Sequence, residues 1–331
     1  MTSRVRVKRA IHFQGPDRIP HLLPDGGEND ILWLWPPGLP PKQDWINYGD
    51  EDRMTDAWGV VRHRTAGGLH GFGEVLAPPI TDINRQAEYQ VPELNDPARY
   101  GDWRKAIAAN ADSDNPKYVL GVMSYGNFEN CHHLVGLDNL FMGLYEDPDH
   151  VRGLLARLAE KQRQCIRFYR QMGCDGVMGY DDWGLQDRAM IASEQLREFF
   201  VPHYRENWAL AHSLGMDTWL HSCGYTIDVL PVLKEAGLDV AQLDQQENMG
   251  LERLDQVLGG KLAFWCPVDI QRTMVEGTTE DIRRYVRRMI HTLGCHNGGL
   301  ISKTYPSPQD VRHAPEKVAA ACAAFREYER Y

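Results

Sequence analysis

The sequence predicts an α/β fold, a distorted (β/α)8 barrel of the TIM type. Three observations carry that expectation. From about residue 118 onward short apolar runs alternate with amphipathic helical patterns, titratable residues gather just after those runs, and no glycine-rich phosphate loop follows any of them. Alternation of this kind means parallel strands with helices outside. The missing phosphate loop weakens the main competitor, an open doubly wound sheet.

The first hundred residues differ from the rest. Segment 15–47 carries "PDRIP", "LPDGGEND" and "WLWPPGLPPKQDW". Proline at that density excludes long helices and central strands. Residues 1–50 are therefore expected to form an irregular extension near the barrel mouth, with the Trp-rich stretch 31–46 as a lid. Residues 51–331 would be the barrel, and the chain one domain. Six strands follow as "YVLGVM" 118–123, "DGVMGY" 175–180, "TWLHSC" 218–223, "VAQLDQ" 240–245, "LAFWCPVD" 262–269 and "GGLISKT" 298–304, leaving room for two more between 55 and 118. Between them, Val151, Leu154, Leu155 and Leu158 mark a helix over 149–172, and 193–214, 227–236 and 279–293 read similarly. Ser193 and Thr278 are expected N-caps, and "QMGCDG" and "EAGLD" place glycine where a left-handed C-cap belongs.

Composition narrows the function. At 331 residues, 43% hydrophobic and 25% charged, the chain can bury a large core. A net charge of −10 argues against nucleic acid or an anionic membrane as partner. No apolar run is long enough for a signal peptide or a membrane span. Seven scattered cysteines without a CxxC pair read as reduced thiols in a cytoplasmic protein.

Reactive groups of a parallel barrel sit where strands end, and those positions are polar here. Asp181, Asp182, Trp183 and Gln186 follow one strand, His221 and Cys223 end the next, then come Asp244 and Gln245, Cys266 and Asp269, and Lys303 and Tyr305. Glu129, His132 and His133 lie in "NFENCHH". His221 and Cys223, at i and i+2 of a strand, share a face and suit a zinc site. The competing reading is a buried thiol beside a hydrogen-bonded histidine. A metal needs a further ligand, for which Cys266, Asp182, Glu129 and Asp244 are candidates. Asp181 or Asp182 serves either as an acid of raised pKa or as a cap for the helix near Ser193. Glu129 reads equally as an ion-pair partner, Lys303 as a snorkelling side chain, and the two histidines as helix-start or surface residues.

Taken in order, the motifs resemble those of the uroporphyrinogen decarboxylase superfamily, in the branch related to corrinoid-dependent methyltransferases. "RVKRAIHFQGPDRIP" is similar to its N-terminal segment, "DAWGVV" to an early stretch, and "NFENCHHLVGLDNLFMGLYEDPDHV" to its next region. "GCDGVMGYDDWGLQ", "HSCGYTIDVLPVLKEAGLDVAQLDQQ" and "CPVDIQRTMVEGTTEDI" resemble three later motifs. The resemblance implies a distorted barrel with its cleft at the strand C-termini. True decarboxylases of this superfamily hold the substrate's carboxylates with an N-terminal arginine motif, but the matching stretch here, "HLLPDGGENDILWLW", has no arginine. The methyltransferase branch binds zinc through an HxC pair and a later cysteine. His221 and Cys223 match the pair, whereas "SKTYPSPQD" offers no cysteine, so Cys266 or a carboxylate is expected to complete the set. No DxHxxG stretch is present, so any cobalamin would arrive on a separate corrinoid protein.

The expected activity is methyl transfer or demethylation of a small organic substrate, assisted by zinc on His221, Cys223 and Cys266. Asp181, Asp182, Glu129 and Tyr305 are the expected catalytic groups, and Trp183, Gln186, Gln245, Asp269 and Lys303 the substrate contacts. The alternatives are a cofactor-free decarboxylase or lyase acting on a small carboxylate or polyol, and a non-catalytic binding barrel. Relatives include homodimers.

Overall fold

Eight parallel strands make up the main sheet: β1 (His21–Leu22), β2 (Ile31–Leu34), β7 (Tyr118–Val122), β8 (Gly176–Tyr180), β9 (Asp217–His221), β10 (Val240–Gln242), β11 (Ala263–Cys266) and β12 (Leu300–Lys303). Their order, β1-β12-β11-β10-β9-β8-β7-β2, wraps them into the nearly closed (β/α)8 barrel that the alternation predicts. The computed structural model describes residues 1–66, 73–123 and 126–330. The seam between β1 and β2 is held by Asp30, whose backbone N–H donates to His21 O at 2.9 Å and whose carboxylate accepts the His21 N–H at 2.8 Å. That carboxylate is fully buried and takes Arg6 at 2.6 Å and Arg18 at 2.8 Å. Burial would raise its pKa, but the Arg18 guanidinium, helped by the His21 N–H and the Ser3 hydroxyl, outweighs it and holds the group ionised.

Side chains alternate across each strand. Tyr118, Leu120, Met178, Trp219, Val240, Ala263, Trp265 and Ile301 fill the barrel interior, and Val7, Ala10 and Ile11 of the helix Ser3–Ile11 pack against them as a plug. The opposite faces, with Leu220, Ala241, Phe264, Cys266 and Leu300, pack on the surrounding helices. The longest of these helices, Pro148–Met172, ends in Gly173 with φ 101°, and Thr279–Leu293 starts on a Thr278–Asp281 capping box. Ser193 is the first helical residue rather than the cap.

The N-terminal third departs from expectation. The two remaining barrel strands lie at 21–22 and 31–34, inside the stretch expected to be an extension, and not between 55 and 118. That interval instead contributes to a separate antiparallel sheet of β3 (Gln43–Asn47), β4 (Glu51–Thr55), β5 (Val61–Thr65) and β6 (Glu74–Ala77). β4 and β5 are mostly polar, with Arg64–Asp52 at 3.4 Å and Arg62–Asp56 at 2.8 Å, and β3 and β6 are short and partly exposed, so the sheet carries no sustained alternating apolar signal.

Candidate active site

Strand register stacks the mouth in two layers. Tyr180, His221, Gln242 and Trp265 are neighbours in one row across β8 to β11. Two residues further along the chain, on the same face, come Asp182, Cys223, Asp244 and, from β12, Lys303. Reaching from the lower row to the upper, His221 Nε2 stands 3.2 Å from Cys223 Sγ and 3.4 Å from Asp182 Oδ1. One donor atom from each of Asp182, His221 and Cys223 lies within 4.8 Å of the others. An imidazole, a thiol and a carboxylate converging at this spacing form a donor set suited to zinc, and the Asp182 side chain, 40% exposed, leaves one side open to the mouth.

Further bonds orient this trio. Gln242 Oε1 lies 2.5 Å from His221 Nδ1, which puts the proton on Nδ1 and turns Nε2 toward Cys223 and Asp182. Gln242 Nε2 donates to Asp244 Oδ1 at 3.0 Å, and Lys303 Nζ donates to the same oxygen at 2.9 Å. Burial would raise the Asp244 pKa, but Lys303 and His221 keep it below the usual aspartate range. The loop after β8 crosses the loop after β9 backbone to backbone. Gly224 has φ 77°, and a Cβ there would sit 2.2 Å from the Gly184 carbonyl oxygen. Only glycine allows that approach. The crossing is secured by Cys223 N–H to Asp182 Oδ1 at 2.8 Å, Trp183 N–H to Ser222 Oγ at 3.0 Å and Gly224 N–H to Gln245 Oε1 at 2.7 Å.

Burial raises the Cys223 pKa, aided by the Asp182 and Asp244 carboxylates and opposed by Lys303. The Asp182 carboxyl is likewise raised, chiefly by loss of water, with His221 opposing and Glu129 adding. A cation bound among these donors would displace their protons.

Several expected site residues are placed elsewhere. Cys266 has the wrong parity: Trp265 faces the interior, so Cys266 points outward into the fully buried core beneath the helices. Among the described residues no three-donor group includes it. Asp181 also points outward and is fully buried, accepting the Glu129 N–H at 2.8 Å and the Tyr204 hydroxyl. It therefore caps the helix Asn127–Val135, not the helix near Ser193. Burial pushes its pKa well up. Trp183 stacks on Phe128 at 4.4 Å inside the core and does not reach the mouth. Asp269 accepts the Thr273 N–H at 2.8 Å and Oγ1–H at 2.9 Å, starting the short helix Thr273–Glu276. Gln186 lies on the exposed rim, 3.2 Å from Asn248.

Other expected residues are at the mouth. Burial raises the Tyr305 phenol, with the Asp244, Cys223 and Asp182 charges adding. Glu129 Oε1 accepts the Asp182 N–H at 3.3 Å, while its Oε2 meets His132 at 3.0 Å and His133 at 3.4 Å. Burial would raise Glu129, but His132 and His133 hold it below its usual range. Sequence reasoning missed Gln242 and Tyr180. Counting back in twos from Asp182 and Asp244 finds both, the count from Asp182 removes Asp181, and the register of Gln242 on Trp265 removes Cys266.

The family model described as uroporphyrinogen decarboxylase (URO-D) matches residues 70–328. A methylated-thiol–coenzyme M methyltransferase of Methanosarcina mazei is 28% identical over 158 residues, 48% of this chain and 41% of the relative. The chain thus spans about two fifths of the length of the curated relative it matches. A solved methyltransferase from Methanosarcina mazei superposes with a TM-score of 0.69 over 99% of both chains at 14% identity, a likeness of fold. Among the described residues no helix is long and apolar enough to cross a membrane.

Proposed function

The chain belongs to the uroporphyrinogen decarboxylase family, and from that premise we propose that it is a metal-assisted methyl-transfer enzyme acting on a small organic substrate. The observation that carries the reading is the convergence of Asp182, His221 and Cys223, with His221 held in the tautomer that frees Nε2. These three residues would hold the metal, with Asp182 in the role expected of Cys266. When bound, zinc would supply a Lewis acid for the heteroatom that gives up or receives the methyl group.

The remaining groups hold and shield. Gln242 fixes His221, and the Asp244–Lys303 pair fixes Gln242. Glu129, bonded to the Asp182 backbone and ionised between two histidines, is placed to take a proton released at the mouth. Tyr305 offers a phenol that stays protonated and can donate to the substrate. Methyl-transferring relatives support the reaction class, and a separate corrinoid protein as methyl partner belongs to the same proposal. A metal-free lyase centred on the Asp181 and Asp182 carboxylates is less favoured, because Asp181 lies on the far side of the strand from Asp182.

Metal analysis of the purified, zinc-supplemented protein tests the reading. Near-stoichiometric zinc is expected, lost in Cys223→Ala and Asp182→Ala and retained in Cys266→Ala. Methyl transfer from added methylcobalamin to a small thiol, which leaves cob(I)alamin and is followed by absorbance, should depend on the same two residues. Zinc that survives Cys223→Ala would sink the proposed ligand set.

A further inference from the structure

At the foot of the barrel, opposite the mouth, three donors of different chemistry meet at the surface. Asp255 stands in the last turn of the helix Leu251–Leu258, and Cys295 and His296 lie in the turn that leads into β12. One donor atom of each lies within 4.8 Å of the others. His296 Nε2 is 2.5 Å from Asp255 Oδ1, and Cys295 Sγ donates to the Thr292 carbonyl at 3.2 Å. A hydrogen-bonded histidine–aspartate pair explains two of these groups and leaves the thiol beside them unexplained.

The turn that carries two of the donors is held from outside. Gly15 N–H donates to Asn297 O at 2.8 Å, and Gly299 N–H donates to Ala10 O at 2.8 Å. Position 259 makes room for the imidazole. Its φ of −53° would suit any residue, but a Cβ there would sit 2.3 Å from Asp255 Oδ1 and 2.6 Å from His296 Nε2. The His296 and Asp255 side chains are 33% and 30% exposed, and Cys295 is the one exposed cysteine among the described residues. An ion can therefore reach all three donors from solvent.

We propose that Asp255, Cys295 and His296 form a second metal site, taking zinc or another divalent ion that accepts sulfur and nitrogen. Thiolate and imidazole select such ions over magnesium and calcium, which take oxygen ligands. Zinc holds nitrogen and oxygen donors at about 2.0–2.2 Å, so His296 and Asp255 would part by under about 1 Å, a shift open to two surface side chains. Binding releases the Cys295 thiol proton to solvent and takes the neutral imidazole. The ion would clip the end of the helix Leu251–Leu258 to the turn before β12. The site shares no residue with the mouth and stands whether or not the methyl-transfer reading does. With its donors exposed it is the weaker of the two and empties on desalting, so zinc retained by the purified protein reports the mouth alone.

Alkylation of Cys295 by iodoacetamide, followed by peptide mass spectrometry on the reduced, desalted full-length protein, reads the site directly. The probes are zinc chloride and magnesium chloride. Micromolar zinc should slow Cys295 alkylation at least about tenfold, because a metal-bound thiolate is shielded from the reagent. Millimolar magnesium should leave the rate unchanged. His296→Ala and Asp255→Ala should each need at least about tenfold more zinc for the same protection, the least that loss of even an orienting partner costs a metal site. A wild-type Cys295 rate untouched by zinc overturns the site, and does so alone if zinc is still retained at the mouth. Equal protection in wild type, His296→Ala and Asp255→Ala overturns the three-donor set. Protection by magnesium as strong as by zinc overturns the class of ion.

Discussion

Gln242→Met offers the sharpest examination of how the site is held. The amide is 2% exposed and spans two partners, His221 Nδ1 at 2.5 Å and Asp244 Oδ1 at 3.0 Å. Methionine keeps the length and removes both bonds. His221 is then free to carry its proton on Nε2, the atom that should face the metal, and its ring loses the contact that fixes its angle. Loss of such an orienting partner costs about ten- to hundredfold in metal affinity, or about 1.4–2.7 kcal/mol. The buried Nδ1–H left without an acceptor adds roughly 1–3 kcal/mol of lost stability, so folding is checked by circular dichroism at the assay temperature. Zinc affinity is measured by competition with a chromogenic chelator for wild type, Gln242→Met and Cys223→Ala. The expected order is wild type tightest, Gln242→Met intermediate and Cys223→Ala weakest. A Gln242→Met protein that is folded and binds zinc within twofold of wild type would refute the argument that this amide sets the histidine tautomer.

Three further outcomes follow from the same geometry. Gly224→Ala should cost more than about 2 kcal/mol in urea unfolding and lower zinc affinity, since a left-handed φ of 77° alone costs about 1–2 kcal/mol and the Cβ meets the Gly184 oxygen; unchanged zinc binding would show that the loop crossing does not hold Asp182 in place. Asp30→Ala should lose about 1.5–3 kcal/mol, because Arg18 loses its nearest carboxylate and the His21 N–H its acceptor while Arg6 keeps Asp17 at 2.6 Å, and a loss below about 1 kcal/mol would mean the barrel seam closes without this carboxylate. Burial pushes His133 down to about 3, so below its unfolded value near 6.5 the unfolded chain takes up a proton that the folded one refuses. Stability should therefore fall as pH drops, by about 1.5 kcal/mol more between pH 6.5 and 5 in wild type than in His133→Gln, and parallel urea profiles would contradict this.

How much of this was legible in the sequence depends on which physical signal each element carries. The six later strands were readable because runs such as 118–122 and 263–266 are apolar on both faces, as parallel strands covered by helices must be. β1 is two residues long and β2 sits among prolines and tryptophans, so neither has a pattern to read. Strands β4 and β5 are mostly polar on both faces and answer to cross-strand charge pairs instead, and β3 and β6 are too short and exposed to show a pattern. At the site, His221 and Cys223 were visible as a same-face pair. The third donor proposed here, Asp182, was one of four candidates and stood behind Cys266, because Asp181 and Asp182 are adjacent and a shift of one residue sends a side chain to the other face. Cys266 failed for the same reason: it stands at the right end of its strand and on the wrong side.

The motifs that reveal the family are mostly joints, and this separates ancestry from reaction. Asp17 and Arg18 of "PDRIP" bind Arg6 and Asp30 at the barrel seam. Thr278 of "EGTTED" caps its helix. The glycines of "DDWG" and "HSCG" let two loops cross. Each of these would be needed by any enzyme built on this barrel, whatever its substrate, which is why ordered matches along the chain fix the fold and leave the chemistry open. What distinguishes one reaction from another must lie in the side chains that the joints deliver to the mouth: Asp182 beside His221 and Cys223, the Asp244–Lys303 pair alongside them, and the aromatic ring of Tyr180 below. Changing Asp182 should therefore alter chemistry with the barrel intact, whereas changing Asp30 should threaten the barrel before any chemistry can be measured.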